Sequence, residues 1–153
     1  MITEDTVSSD TVTIAAPVEL VWEILLDFEN YQQWNTFCPR IKNDSLALGS
    51  AVDMMVDLGN GPSQQVEYIC EVQPKRCIAW RMKNEPGDPV HAVRSQHLEP
   101  IDAQSCTYVS IDKFSGPEAS AMMEHFAESV ETGFNKCAYD LKAFAEKSYK
   151  ARR

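Results

Sequence analysis

The sequence predicts an α+β domain with the element order β-α-α-β6-α, in which a curved antiparallel sheet wraps around a long C-terminal helix. Three observations lead to this prediction. The chain has 153 residues, of which 44% are hydrophobic, and this suits one domain with a substantial core. Its middle contains six apolar patterns of period two with no room for crossover helices between them. Its last part follows an amphipathic helical pattern without a break.

The N-terminal part predicts one strand and two short helices. Scattered β-branched residues predict a strand over Thr6–Ala15. Pro17 suits the first position of a helix, because its fixed φ and missing N–H are tolerated there. The apolar residues after it recur at helical spacing and are Val18, Val21, Trp22, Leu25 and Leu26. Phe28–Trp34 predicts a second short helix.

The six central patterns predict strands that pair with their neighbours. They are Arg40–Asn43, Ala51–Leu58, Gln64–Val72, Arg76–Lys83, Val90–Leu98 and Ser105–Phe114. The connections between them are short and rich in glycine, proline and asparagine, so consecutive strands run antiparallel. Gly59-Asn60-Gly61 predicts a hairpin turn and not a phosphate loop, since neither a third glycine nor a helix follows it.

The C-terminal helix begins at Ser115-Gly116-Pro117-Glu118 and is predicted to run to about Lys147. Its apolar stripe comprises Ala119, Met122, Met123, Phe126, Val130, Phe134, Cys137, Leu141 and Phe144. So long a helix can bury its stripe against one sheet only if the sheet curls around it. Methionine and phenylalanine suit irregular apolar space, so we expect an apolar cavity there. The alternative is that the same side chains fill a solid core.

Charge and cysteine usage exclude several classes of partner. The net charge of −9 and the pI of 4.7 disfavour nucleic acid and anionic membrane surfaces. We expect a cytoplasmic protein without integral membrane association, because no signal-like or membrane-spanning apolar segment is found. The expected oligomeric state is a monomer or homodimer. The five cysteines include no CxxC pair and are expected to be free thiols.

Several motifs resemble the START-like superfamily, also called Bet v 1-like or SRPBCC, and within it the polyketide cyclase/dehydrase and lipid-transport branch. They are Ile14-Ala15-Ala16-Pro17-Val18-Glu19-Leu20-Val21-Trp22, Phe28-Glu29-Asn30-Tyr31-Gln32-Gln33-Trp34-Asn35, Ile78-Ala79-Trp80-Arg81, Leu98-Glu99-Pro100 and Phe114-Ser115-Gly116-Pro117. The second motif is similar to the D-x-x-x-Y-x-x-W-N helix of that superfamily. The resemblance implies a helix-grip fold, with residues 1–153 as a single domain and a cavity between helix and sheet. This superfold hosts carriers, receptors, cyclases and chaperone partners, so it constrains function weakly.

Metal and cofactor chemistry find no support in the sequence. His91 and His97 lie on one predicted strand, but six residues separate them by about 20 Å, too far to share an ion. His125 lies one residue before Phe126 and is expected at the edge of the apolar stripe, not in the cavity. The chain has no Gly-x-Ser-x-Gly elbow, and no cysteine lies in a catalytic motif. We therefore expect no metal, no cofactor and no serine or cysteine nucleophile.

Strand alternation predicts which side chains face the cavity. Val66, Tyr68, Cys70 and Val72 should point inward, and Gln65, Glu67 and Glu71 toward solvent. The ligand-binding candidates from strands and helix are Met54, Tyr68, Trp80, Met82, Met122, Phe126, Val130 and Phe134. Trp80 and Tyr68 offer flat apolar area with a polar group, although plain core packing is equally consistent with the pattern.

Three polar residues of the last two strands are the catalytic candidates: Arg94, Asp112 and Tyr108. A hairpin turning around Ala103 places Arg94 directly across from Asp112. On the concave face, they would form a buried pair used for orientation or chemistry. On the convex face, they would form an exposed ion pair worth about 0–1 kcal/mol. Both alternatives stay open, and Arg94 and Tyr108 are also ligand-binding candidates.

The leading hypothesis is a protein that binds a small apolar or aromatic-ring molecule, such as a lipid or polyketide-like compound, without a cofactor. The alternative is a cofactor-independent polyketide cyclase or dehydratase that acts on such a molecule in the same cavity. A third hypothesis is a protein-interaction module, which the acidic surface disfavours.

Overall fold

One antiparallel sheet of eight strands curves around a long helix in the computed structural model, which describes residues 1–153. The strands are β1 (Thr6–Ser8), β2 (Val12–Ile14), β3 (Arg40–Lys42), β4 (Ala51–Asp57), β5 (Pro62–Gln73), β6 (Cys77–Arg81), β7 (His91–Asp102) and β8 (Ser105–Ser115). The helices are α1 (Val18–Leu26), a 3₁₀ helix (Phe28–Gln33) and α2 (Ala119–Arg152). The predicted α+β class and the helix-grip arrangement are confirmed.

The strands lie in the order β1-β8-β7-β6-β5-β4-β3, and β2 also pairs with β8. From β3 to β8 each strand is therefore antiparallel to the next one along the chain, as the short connections predict. The hairpin between β7 and β8 closes with Asp102 across from Ser105, so it turns around Ala103 as expected. No helix is long and apolar enough to cross a membrane.

The predicted opening strand is divided into two strands, β1 and β2, which both pair with β8. The break lies at Ser9 and Asp10. The Ser9 hydroxyl accepts a hydrogen bond from the Ser110 amide at 3.0 Å. In a continuous strand pair, this amide would instead donate to a backbone carbonyl of the neighbouring strand. The Asp10 amide donates to Asn135 Oδ1 on α2 at 2.7 Å. The chain thus leaves the sheet briefly to contact the helix.

The N-terminal segment attaches to the second half of α2 through further hydrogen bonds. Tyr139 donates to the carboxylate of Asp10 at 2.8 Å, and Lys142 donates to the Thr13 carbonyl at 2.6 Å. The Ala15 amide donates to Glu146 at 2.9 Å. Because these contacts are spread over two turns, they fix this half of the helix against β1 and β2. The helix continues past the predicted end at Lys147 to Arg152, and its basic last turn suits the helix dipole.

The second half of α2 also packs against α1 and the segment that follows the 3₁₀ helix. Thr36 donates to Asp140 through its amide at 2.9 Å and its hydroxyl at 2.6 Å. Trp34 stacks on Phe144 with ring centroids 6.4 Å apart. The apolar stripe of α2 is buried from Phe134 to Leu141, and Leu141 has no exposed surface. This end of the sheet is therefore closed by a layer of helices.

Candidate functional site

An apolar cavity of about 570 Å³ lies between the first half of α2 and the concave face of the sheet. Fourteen of its eighteen lining residues are hydrophobic. The lining comprises Phe37, Met54, Val56, Leu58, Gln65, Val66, Glu67, Trp80, Met82, Val90, Ala92, Arg94, Asp112, Phe114, Met122, Phe126, Val130 and Phe134. The cavity that the α2 stripe predicts is thus present, at the N-terminal half of the helix.

The cavity has a closed end and an open end. Met54, Trp80 and Phe134 are each 2% exposed and form its deep walls. Phe126 on α2 and Met82 just after β6 also line it, yet they are 50% and 40% exposed. The open end therefore lies between the first turns of α2 and the end of β6, and its rim is apolar.

Eight of the predicted ligand-binding residues line this cavity: Met54, Trp80, Met82, Arg94, Met122, Phe126, Val130 and Phe134. Tyr68 does not, and the predicted alternation of β5 is wrong. Glu67 lies across from Val52 and is turned inward with it, so Tyr68 beside it faces the convex side. A bulge between Ile69 and Glu71 adds one residue to the strand, so one alternation cannot hold along its whole length.

Tyr108 also lies outside the cavity lining, contrary to the prediction. It is fully buried below the closed end, where its hydroxyl donates to Gln96 Oε1 at 2.6 Å. Burial raises the pKa of the phenol well above its usual value, so the hydroxyl stays protonated. Tyr108 therefore belongs to the packed core beneath the cavity and does not line the cavity.

Phe37 lines the cavity although the sequence analysis missed it. It lies in the irregular segment before β3, and its ring meets Phe134 edge-on with centroids 5.6 Å apart. Gly133 makes this contact possible, since a Cβ at that position would lie 2.4 Å from the Phe37 ring. A helical glycine next to apolar positions is the one sequence signal that indicates such a close approach.

Arg94 is a buried cation in the cavity wall, only 6% exposed. Its Nε donates to the Ser110 hydroxyl at 3.0 Å. Three aromatic rings surround the guanidinium, with centroids at 4.5 Å for Phe134, 5.4 Å for Phe37 and 5.7 Å for Trp80. Cation–π attraction compensates part of the desolvation of this permanent charge.

Asp112 lies directly across from Arg94, as predicted, and both side chains belong to the concave face. The alternative prediction, an exposed ion pair between Arg94 and Asp112 on the convex face, is therefore wrong. The two side chains form neither a hydrogen bond nor an ion pair. Burial raises the pKa of the Asp112 carboxyl to about 7, while the Arg94 charge acts in the opposite direction.

Glu67 brings a second carboxyl into the cavity, where solvent exposure was predicted. Burial and the nearby Asp112 raise its pKa to about 8, and Arg94 again opposes this shift. The cavity thus combines one fixed positive charge with two carboxyl groups that titrate near neutral pH. The residue type alone gave no signal for this, because charged residues rarely point into a core.

The cysteines and histidines do not form a reactive or metal-binding cluster. All five cysteines are free thiols, as expected. Burial raises the pKa of Cys38 to about 12 and also raises that of Cys137. These thiols are therefore not activated as nucleophiles. No three histidine, cysteine or acidic side chains are arranged to hold a metal ion.

Comparison with known proteins identifies the family. The model of the family described as polyketide cyclase / dehydrase and lipid transport matches residues 5–146. The chain belongs to this family. Its membership of the START-like superfamily, which the motifs indicate, is thereby confirmed. No curated protein matches the chain closely.

Solved structures similar to this polyketide cyclase/dehydrase family member share its fold. The Zhui aromatase/cyclase from Streptomyces sp. R1128 is 23% identical, with a TM-score of 0.72 and 96% of each chain covered. A Nitrosomonas europaea protein is 18% identical, with a TM-score of 0.71 and 99% of each chain covered. A START superfamily protein from Mycobacterium smegmatis is 17% identical, with a TM-score of 0.59, and the match covers 90% of this chain and 99% of that one.

Proposed function

We propose that the protein binds a small apolar or aromatic-ring molecule in the cavity beneath the first half of α2. The observation that carries this proposal is an internal space of about 570 Å³ with a predominantly hydrophobic lining. Small-molecule sites typically measure about 300–1,000 Å³ and combine apolar walls with a few polar groups. Arg94, Glu67 and Asp112 are the charged groups in this cavity.

The aromatic residues of the wall favour a ligand with flat rings. Phe37, Trp80 and Phe134 surround the guanidinium of Arg94 and are also part of the cavity lining. Aromatic rings attract one another in offset or edge-to-face geometry, beyond the effect of the area they bury. A ring compound can thus replace water along this wall without losing polar contacts.

Native mass spectrometry of the purified protein and thermal shift measurements test the proposal directly. The panel comprises fatty acids, sterols, polyketides, and naphthalene with its hydroxyl and carboxyl derivatives. Compounds with rings should raise the melting temperature in a concentration-dependent way, because a ligand that binds only the folded state stabilises it. Indifference to every compound of the panel would refute the proposal.

A matched pair of variants locates the binding. Val130→Trp places a large ring in the cavity, whereas Val93→Trp makes the same change outside the lining, on β7. We expect the first variant to lose about 10-fold or more in ligand affinity, since it occupies space that the ligand needs. The second variant should bind like the wild type. Equal losses in both would show that the cavity is not the binding site.

An enzymatic role is the second candidate, and the two buried carboxyl groups favour it. Groups that titrate near neutral pH can both take up and release protons under ordinary conditions, which general acid–base catalysis requires. Here Asp112 or Glu67 would transfer protons while Arg94 stabilises a developing oxyanion. The reaction class would be cyclisation or dehydration of a polyketide-like chain held by the apolar walls.

Asp112→Asn and Arg94→Gln test this second role. With a polyketide-like substrate, each variant should lower kcat by about 100-fold if its side chain takes part in proton transfer or charge stabilisation. Glu99→Gln on β7 is the control, because Glu99 is exposed and far from the cavity lining. Unchanged turnover in both test variants would leave the protein as a binding protein only.

A further inference from the structure

We propose that the cavity binds a ring-bearing organic acid as its carboxylate ion, held by Arg94, and that this binding is coupled to proton uptake by Glu67 and Asp112. The inference rests on the proposed binding function and specifies both the charge of the ligand and the regulation of its binding. An apolar cavity alone does not require either property.

The guanidinium of Arg94 presents unused hydrogen-bond donors to the cavity. Its Nε donates to the Ser110 hydroxyl at 3.0 Å, and its Nη2 makes only a long contact of 3.9 Å with Cys137 Sγ. Nη1 has no hydrogen-bond partner in the protein and is not completely buried. Because Arg94 lines the cavity, the accessible surface of Nη1 faces its interior. The two N–H groups of Nη1 are therefore available to an acceptor in the cavity.

The guanidinium is held in position by the surrounding protein. Ser110, which accepts from Nε, has no exposed surface. The Ser110 amide donates to the Ser9 hydroxyl at 3.0 Å, and its carbonyl accepts from the Ser9 amide at 2.9 Å. Phe134 and Phe37 lie against the guanidinium, with ring centroids 4.5 Å and 5.4 Å away. A cation that is already ordered loses little side-chain freedom when it binds an anion.

The positive charge of Arg94 is not balanced by a carboxylate of the protein. Neither Asp112 nor Glu67 forms an ion pair with it, although both line the same cavity. Burial raises the pKa of Asp112 to about 7, and burial together with Asp112 raises that of Glu67 to about 8. Asp112 Oδ1 is completely buried without a hydrogen-bond partner, which also disfavours the ionised form. Below about pH 7 the cavity thus carries one uncompensated positive charge.

One negative charge on an apolar body matches this cavity. A carboxylate accepts from guanidinium N–H groups in charge-assisted hydrogen bonds, which are roughly twice as strong as neutral ones. Fourteen of the eighteen lining residues are hydrophobic, so the rest of the ligand must be apolar. A phosphate fits less well, because its second charge would repel ionised Asp112 and Glu67. An uncharged ligand would leave the buried cation without a counterion.

Binding of a carboxylate depends on the protonation of the two cavity acids. An ionised Asp112 or Glu67 neutralises part of the positive charge of Arg94 and repels the ligand. The ligand therefore binds best when both acids are neutral, and its own charge favours their protonated forms. Helix α2 adds only uncharged side chains to the lining, namely Met122, Phe126, Val130 and Phe134.

The other titratable groups around Arg94 do not change charge near neutral pH. They are the thiols of Cys38 and Cys137 and the phenols of Tyr31 and Tyr108. Burial raises the pKa of Cys38 to about 12, and it raises the pKa of Cys137 and of both phenols above their usual values. All four groups are therefore neutral between pH 6 and pH 8. The two carboxyl groups are the ones that can couple proton uptake to binding.

Two probes of the same shape test the inference: 2-naphthoate and its uncharged analogue 2-naphthamide. Their affinities are measured by calorimetric titration at pH 6 and pH 8, where 2-naphthoate stays ionised because carboxyl groups in water titrate near pH 4. At pH 6, we expect 2-naphthoate to bind about 10-fold more tightly than 2-naphthamide. At pH 8 its affinity should be about 10-fold lower than at pH 6, because the protein with two neutral acids is then a minor species. The affinity for 2-naphthamide should hardly change.

Proton uptake is measured directly by titration at pH 7.5 in two buffers with different ionisation enthalpies. At this pH, Asp112 is mostly ionised and Glu67 is mostly protonated in the free protein. Binding of 2-naphthoate should therefore take up about one proton per ligand, whereas binding of 2-naphthamide should take up none.

Variants assign the effect to the named side chains. Arg94→Gln removes the cation, so it should lower the affinity for 2-naphthoate at pH 6 about 10-fold and hardly change that for 2-naphthamide. Lys113→Gln is its control, because Lys113 is exposed and lies outside the cavity lining. In the double variant Glu67→Gln and Asp112→Asn no carboxyl group titrates in the cavity, so 2-naphthoate should bind equally well at pH 6 and pH 8.

The outcomes separate this inference from the proposed function. Equal affinity of the wild type for the two probes at pH 6 would overturn the inference and leave the binding function standing. An affinity for 2-naphthoate that does not fall at pH 8, without proton uptake, would overturn the coupling in the same way. Failure of both probes to bind would overturn the inference and count against the proposed function. If Arg94→Gln does not fold, the two wild-type comparisons and the proton count still decide.

Discussion

The two halves of α2 carry the same apolar periodicity but meet the rest of the protein differently. In the C-terminal half, Ala138, Leu141 and Ala145 have no exposed surface. In the N-terminal half, Phe126 and Val130 face a cavity, and Phe126 is half exposed. Periodicity therefore indicates which face of a helix is turned inward, but not whether that face meets a packed neighbour.

The difference follows from side-chain size and from the neighbouring layer. The C-terminal half contacts α1 and, through Asp140, the segment after the 3₁₀ helix, and its buried face includes the small residues Ala138 and Ala145. The N-terminal half has no such helical layer, and its larger side chains border the space between helix and sheet. Four predictions test this contrast.

The largest effect is expected in the packed half. Leu141→Ala removes a completely buried side chain from a region without spare space, so it should lower the free energy of unfolding by about 3 kcal/mol. Urea denaturation monitored by circular dichroism measures this change. A loss below about 1 kcal/mol would mean that the packed half relaxes as readily as the cavity half.

The cavity half should instead show a marked pH dependence. Burial raises the pKa of Glu67 to about 8, far above its unfolded value of about 4. The folded state thus holds this proton to higher pH, so the associated stability is complete below about pH 4 and is lost as the pH rises through about 8. Glu67→Gln stays neutral and should be about 2 kcal/mol more stable than the wild type at pH 8.5, with little difference at pH 4.

Urea titrations at the two pH values check this expectation. Glu124→Gln, on the exposed face of α2, is the control and should not change the pH profile. A wild-type stability that rises between pH 4 and pH 8, with no gain in Glu67→Gln, would contradict the assignment of a buried, protonated carboxyl.

A smaller effect is expected where the two halves join, at Gly133. Alanine favours the helix by about 1 kcal/mol, but its Cβ would overlap the Phe37 ring. The ring must move, and the cavity gives it space, so we expect a net loss of only about 1 kcal/mol. The displaced ring should also weaken binding of 2-naphthoate. Lys136→Ala on the exposed face serves as control, and a stabilised Gly133→Ala variant with unchanged affinity would rule out this explanation.

The smallest effect is expected at Met122, which lines the open part of the cavity. Met122→Ala adds volume to a space that already exists and exposes few new contacts, so it should destabilise the protein by less than about 1 kcal/mol. The same urea assay compares it with Leu141→Ala. Similar losses in the two variants would remove the distinction between the two halves.

The sequence predicted the fold well because its elements are regular. Period-two patterns and turn residues indicated the six central strands, and the position of the turn at Ala103 indicated the Arg94–Asp112 register. Strand alternation failed at Tyr68, because a bulge adds a residue and the convex face also carries apolar side chains. It placed Tyr108 on the correct face but could not indicate that α2 covers this position. Phe37 lies in an irregular segment, where no helical or strand periodicity predicts the direction of a side chain.

The hydrogen bonds between the N-terminal segment and the second half of α2 have a mechanical consequence. Asp10, Thr13 and Ala15 hold one end of the helix, whereas the open rim lies near its other end. The second half of α2 is thus fixed by hydrogen bonds, whereas its first turns are not. If the cavity binds a ligand as proposed, local opening of the first turns of α2 would let the ligand pass while the hydrogen-bonded end stays in place. Amide hydrogen exchange along α2 would then be fastest before Val130 and slowest between Cys137 and Glu146.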